Sequence, residues 1–496
     1  MKYILLLLPV LISSLSAQTI TPLEKSDYKK LTSYSDLFSY VNSATKNSKF
    51  ISVDTLAKSV EGRIIPFIKI SRKGFGKDKS KLKVLFFAQQ HGNEHSGKEG
   101  TLLLLNDFVN NKLAKYLNNL DIILVPQMNP DGSEKDKRRN GADADLNRNH
   151  QELSQPEVIG LHKLFNKYLP EFTLDVHEYY PYGKEWNSYG FRRNADEQLG
   201  TVTNPNISEV IKNYEKNNVL PFVKNYIISK GFSFNEYMVG GPPDSDRTRY
   251  STVEVNDGRQ SFGILNTLSF ILEGKNGVDS IDNIEHRALG QKTTLEGLLQ
   301  FAYDHSKEIK KMVKDERTKL VNSKEGEKVI IRMEHVSDGK DFPLTMMNIK
   351  TNKDTVLFIK NFDSIIESRF EVNKPVGYLM PKSDLNLHGW LEHHNIIYNA
   401  AAAIPDTKVI SQNVETINTE QLEEMDIFIP VTIEKENKEI DFTRYLFVPV
   451  NQLYSNFIVL SLEPASMLGL KQIPDFKYLL EAGKEYPILK VVSSKK

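Results

Sequence analysis

Apolar positions follow two different rhythms along the chain. Up to about residue 315, short unbroken apolar runs alternate with segments of helical spacing. The run KVLFFAQQ at 83–90, DIILV at 121–125, the 172–176 segment leading into His177, and LSFIL at 268–272 suit buried strands. An alternating stretch at 64–70 predicts one more strand. Between them, 34–41, 97–110, 159–169 and 288–315 predict helices; Leu102, Leu103, Leu105 and Phe108 give the second its apolar face. Such alternation predicts an α/β fold with a mixed, largely parallel sheet flanked by helices. Sites in such sheets form beyond the carboxyl ends of the strands. A charged, Gly-containing stretch, KEGEK at 324–328, reads as a linker. Beyond it, runs such as VIIRME, TVLFIK, FIPVTI and FIVLSL recur between polar turns and predict a smaller β-rich domain over 329–496.

The N-terminus adds a targeting signal. Lys2 precedes an apolar run at 4–12 that contains Pro9, and Ser13, Ser14, Ser16 and Ala17 follow. This pattern predicts a signal peptide over 1–17, and so a secreted or periplasmic protein whose first domain spans 18–322. The run is shorter than the ~20 apolar residues a bilayer span needs, and no later run reaches that length. Stable membrane insertion is therefore not expected. Composition narrows the chemistry. The 496 residues hold 64 Lys plus Arg and 64 Asp plus Glu, so the chain has no bulk positive charge for nucleic acid and no such partner is expected. There is no cysteine, so thiolate metal sites, disulfides and cysteine nucleophiles are excluded. Any metal must be held by His, Asp or Glu.

One constellation answers that requirement. His91-Gly92-Asn93-Glu94 leaves the strand at 83–90, and His177 ends the strand at 172–176. Two His and one carboxylate at one sheet edge leave a metal an open position for water. His177 alone is as readily a core histidine; its shared edge with the other two changes the weighting. A second His/Glu pair, His305 and Glu308, reads as a solvated helix face. The loop after 121–125 carries Asn129-Pro130-Asp131-Gly132, Arg138-Arg139-Asn140-Gly141 and Asp145-Leu146-Asn147-Arg148-Asn149. Arginines beside a metal can stabilise an oxyanion or, with an Asn amide, hold a carboxylate. Glu273, at the end of an apolar strand, is costly there unless it faces a polar cleft, which makes it a general-base candidate.

Taken in order, HGNE, NPDG, DLNRN, a later His and a late Glu resemble the zinc carboxypeptidase (metallocarboxypeptidase) family over about residues 25–310, and Ser59-Val60-Glu61-Gly62-Arg63 matches a further family feature. The chain looks like a long secreted bacterial-type member with a C-terminal accessory domain. The resemblance implies that His91, Glu94 and His177 hold one Zn2+, with Asp145 orienting His91. It implies that Arg139 polarises the scissile carbonyl, Arg138 being the competing register, and that Asn147 and Arg148 bind the substrate's terminal carboxylate. It gives Glu273 the role of moving the proton of the attacking water. Tyr250 is the nearest candidate for a substrate-capping tyrosine, and the side-chain preference should be set within 246–261. His388, His393 and His394 are expected at the surface. The implied partners are peptide or protein C-termini. Two other functions share these features: a zinc amidohydrolase acting on cell-wall peptides or N-acyl amino acids, and a catalytically silent peptide- or glycan-binding relative. Oligomeric state is left open.

Overall fold

The structure is a computed structural model and describes residues 19–242, 247–423 and 425–494. The expected signal peptide lies outside the described residues. Among those described, no helix is long and apolar enough to cross a membrane.

Eight strands form the main sheet. Five come first in the chain: β1 (Ile51–Lys58), β2 (Ile64–Ile70), β3 (Leu82–Ala88), β4 (Leu120–Val125) and β5 (Phe172–Tyr179). The Leu268–Lys275 strand, Glu197–Gly200 and Phe234–Glu236 complete it, in the order β1, β2, β4, β3, β5, Leu268–Lys275, Glu197–Gly200, Phe234–Glu236. The central four, from β4 to Leu268–Lys275, run parallel. Antiparallel pairings flank them on both sides. The expected mixed sheet is present, and its parallel part is its buried middle. All residues of β4 and β5 are buried; β4 shows this as the apolar run IILV, whereas β5 alternates apolar and polar residues and buries both sets.

The helices His95–Val109 and Ile284–Asp304 pack closely. An added Cβ on Gly100 would come within 2.8 Å of the Gln291 side chain, so a glycine permits this approach. The helix expected over 288–315 is two helices, Ile284–Asp304 and Ser306–Val321, broken at His305.

From residue 328 the chain is β-rich. A six-stranded antiparallel sheet includes Gly377–Pro381, Tyr445–Pro449 and the long hairpin of Thr407–Leu422 with Met425–Asn437. The FIVLSL run is an exception. It lies in a helix, Ser455–Leu462, in which Phe457 through Leu462 are all buried; a short apolar run buried on every side carries no period to distinguish helix from strand.

The two regions are not separated by a polar seam. One apolar cluster runs continuously from Leu37 through the main sheet to Ile488. The helix Leu385–His394 packs on Pro156–Tyr168. Phe191–Arg192 adds a strand to the hairpin of Phe342–Asn348 and Lys353–Ile359 by pairing with Met347 and Asn348.

Candidate active site

The site is built at the carboxyl ends of β3, β5 and the Leu268–Lys275 strand. After β3 the chain turns through His91 and Gly92 into the His95–Val109 helix. The turn is tight because Gly92 lies against a second turn. A Cβ there would sit 2.2 Å from the Gly132 carbonyl carbon, and the Gly92 N–H donates to the Arg138 carbonyl at 3.1 Å. Asn129 fixes that second turn, accepting from the Gly132 N–H at 2.8 Å and donating to the Gln90 and Arg138 carbonyls. Asp131 accepts from Ser59 at 2.7 Å and Arg63 at 2.6 Å. Thus the NPDG and SVEGR motifs are ties between loops, and they set Arg138 beside Glu94.

The three ligand candidates converge. The His91 Nδ1 lies 2.7 Å from Glu94 Oε1, the His177 Nδ1 lies 2.9 Å from Glu94 Oε2, and the two Nδ1 atoms are 3.1 Å apart. All three residues are buried, and their ligand atoms fall within 4.8 Å of one another. Each imidazole turns its other nitrogen to a carboxylate: His91 Nε2 to Asp145 at 3.1 Å, and His177 Nε2 to Asp175 at 2.8 Å. Two inward Nδ1 atoms and a carboxylate, with both outward nitrogens supported by acidic groups, form a donor set that fits a divalent metal.

Electrostatics follow from this crowding. Burial opposes charge on His177, but Asp175 and Glu94 prevail and hold its pKa well above the ordinary value. Burial also opposes the Glu94 carboxylate, yet His91 and His177 hold it far below the usual range. Asp145 is likewise held down, against burial, by His91, Arg138 and Arg148.

Glu273 completes the centre. It pairs in parallel register with His177 on the neighbouring strand, so both side chains leave one sheet edge together. Burial pushes its carboxyl up to about 7; Glu94 and Asp175 push the same way, while His177 and His91 oppose. A carboxyl poised near neutrality can both take and return a proton.

His91, Glu94 and Glu273 line one cleft of about 720 Å³. Asn147 and Arg148 stand at one part of its wall. The Asn147 amide nitrogen lies 3.2 Å from His177 Nε2, and its oxygen accepts from the Gly258 N–H at 2.9 Å. The Arg148 side chain donates to the Asn147 carbonyl at 2.7 Å. Their loop is braced from the C-terminal region, where Trp390 Nε1 at 2.9 Å and His394 Nε2 at 3.0 Å both meet the Gln151 carbonyl.

Several expectations are corrected here. Arg138, not Arg139, is on the cleft wall; its Nε donates to Asp145 at 3.1 Å, and it lies 3.5 Å from Glu94. Arg139 is exposed and donates to the Asp143 carbonyl at 2.8 Å. The two arginines lie in a bend, which the Gly92 N–H ties down at the Arg138 carbonyl. Tyr250 is not at the cleft. It packs on Phe362 and Phe342 in an apolar cluster with Trp186 and Met238. Tyr237 lines the cleft instead, its hydroxyl pKa raised by burial and by Glu273. Its signal in the sequence was its place just after a short strand and before the turn Gly240-Gly241-Pro242. His394 is buried rather than at the surface, and His388 and His393 are half-buried. Of the span expected to set side-chain preference, Asp246 lies outside the described residues, while Ser251, Thr252 and Asp257 line the cleft. Asp175, the acidic neighbour of His177, was also passed over; its position two residues earlier on the same strand face gave it away.

Known proteins agree with this picture. Residues 39–211 match the family described as zinc carboxypeptidase, a stretch that includes all three ligand candidates. The chain is 25% identical over 460 residues to carboxypeptidase 2 of Trichophyton tonsurans, covering 88% of this chain and 81% of that protein. It is 27% identical over 275 residues to carboxypeptidase 2 of Trichophyton rubrum, a match that spans about half of each, 54% and 51%. A metallo-carboxypeptidase from Burkholderia cenocepacia superposes with a TM-score of 0.42 at 18% identity, over 54% of this chain and 68% of that one. Residues 39–211, which hold the metal-fitting trio, thus match a zinc carboxypeptidase domain, a peptide hydrolase.

Proposed function

We propose that the protein is an exported metallocarboxypeptidase that hydrolyses the C-terminal peptide bond of peptides or proteins. The observation that carries this reading is the meeting of His91, Glu94 and His177 beside Glu273 in a cleft whose wall also holds Asn147 and Arg148. Export rests on Lys2 and the apolar run that follows it.

In this reading His91, Glu94 and His177 hold one zinc ion, and Asp145 and Asp175 orient the two imidazoles. Zinc, when bound, supplies Lewis-acid polarisation of the scissile carbonyl and acidifies water. Arg148 and the Asn147 amide hold the terminal carboxylate, so only the last peptide bond is presented. Glu273 takes a proton from the attacking water and returns one to the leaving amine. Its buried site near Glu94 keeps its pKa close enough to neutral for both transfers. Arg138, aimed by its bond to Asp145, offers its remaining N–H groups to the developing oxyanion. Tyr237 closes over the substrate from the opposite wall.

The test is mass spectrometry of a peptide library incubated with the zinc-loaded protein, each peptide supplied with a free and with an amidated C-terminus. The expected result is loss of one residue at a time from free termini only, absent in Glu273→Gln. Cleavage of amidated peptides at an equal rate rejects the exopeptidase reading.

A further inference from the structure

Three arginines stand on the cleft wall: Arg138, Arg148 and Arg193. Arg138 is paired with Asp145 and Glu94. Arg148, in the reading above, awaits the substrate's terminal carboxylate. Arg193 has no role in that reading. Among the described residues no carboxylate pairs with it; its guanidinium is held by main-chain oxygens alone. The NH1 donates to the Met238 carbonyl at 2.9 Å and the NH2 to the Gly240 carbonyl at 2.8 Å. Burial lowers its pKa, while Tyr237, Tyr179 and Glu273 draw it the other way. Arg193 is half-buried, so its guanidinium is partly withdrawn from water while it faces the cleft, and a cation so placed favours an anionic partner there. Two carbonyls satisfy part of its hydrogen-bonding capacity and none of its charge.

Its position is fixed from outside the cleft. Phe191 and Arg192, just before it, pair with Asn348 and Met347 of the C-terminal region. The indole of Trp186 shares the Gly240 carbonyl at 3.3 Å. Arg193 is thus a preset cation, held against the segment that follows Tyr237, with no carboxylate in ion-pair contact among the described residues.

We infer that Arg193 is a second carboxylate-binding point, and that the preferred substrates carry an acidic side chain at the last or next-to-last residue in addition to the terminal carboxylate. This inference rests on the carboxypeptidase reading for its substrate class, but the charge pairing can be tested apart from turnover. The probes are matched peptides that differ only by Glu or Gln, at the last position in one pair and the next-to-last in the other. For each pair the ratio of kcat/KM, Glu over Gln, is measured in the wild type, Arg193→Gln and Arg193→Lys. One pair should show a ratio of about tenfold or more, as befits a charge-assisted bond. That ratio should fall to about one in Arg193→Gln and be kept in part by Arg193→Lys, which retains the charge. An unchanged ratio in Arg193→Gln overturns the inference. So does an equal loss on both members of each pair, since that marks Arg193 as a prop for the Met238–Gly240 segment only. Calorimetric binding of the same peptides to Glu273→Gln separates the two readings. Glu-selective binding that depends on Arg193 supports the second carboxylate point even when no peptide is cleaved by the wild type; binding without Glu selectivity rejects it.

Discussion

The two sides of the cleft are held by different means. On one side, His177 and Glu273 leave the ends of adjacent parallel strands, and His91 and Glu94 leave the next strand through a turn locked by backbone contact. Their positions follow from strands buried on both faces. On the other side, Arg148, Tyr237 and Arg193 sit on long segments with little structure of their own. The C-terminal region braces them, through Trp390 and His394 at the Gln151 carbonyl and through the strand pair at Phe191–Arg192. The difference suggests a division: chemistry from the sheet, substrate choice from loops set by distant sequence.

That division can be broken first at the metal. His177→Ala should lose zinc, read by elemental analysis of the purified protein, and with it all measurable peptidase activity. Retained zinc and activity would remove the sheet-borne trio from its role. The next effect is smaller and sharper. Arg138→Ala should lower kcat about 10²–10³-fold, the usual loss of an oxyanion donor, whereas Arg139→Ala should change it less than about twofold. The reverse order would return the oxyanion role to Arg139.

The third prediction concerns the brace. Burial holds His150 and His394 down at about 3 and His162 well below its ordinary value. Below pH 6.5 each gains a proton when the chain unfolds but not while it is folded. The unfolded state then binds more protons, so stability rises with pH. The contribution is complete above pH 6.5 and is lost as pH falls toward 3. At pH 5 His150 and His394 each cost about 2 kcal/mol. Denaturant unfolding of His394→Phe should therefore compare more favourably with the wild type at pH 5 than at pH 7.5, by roughly that amount. Parallel profiles would mean that His394 is already charged in the fold.

How much of this was legible in the sequence follows the same division. The strand ends that carry His91 and Glu273 were visible because buried strands write apolar runs, and the one that carries His177 was visible as an alternating stretch. The loops were not, since Arg138 and Arg139 are adjacent residues of one type and only the fold shows which of them faces the cleft. Tyr250 was named and Tyr237 missed, because distance along the chain gives no sign of which tyrosine an apolar cluster from residues 342–362 will take. His394 read as one of three surface histidines; its burial comes from Pro156–Tyr168, more than 200 positions away. Arg193 carried no motif at all.

The contact between Gly92 and Gly132 has one more consequence. With no room for even a methyl group between the two backbones, neither turn can slide or tilt without carrying the other. Glu94 and Arg138 therefore keep a constant separation through each catalytic cycle, and whatever breathing lets a peptide in and its products out has to come from the facing wall.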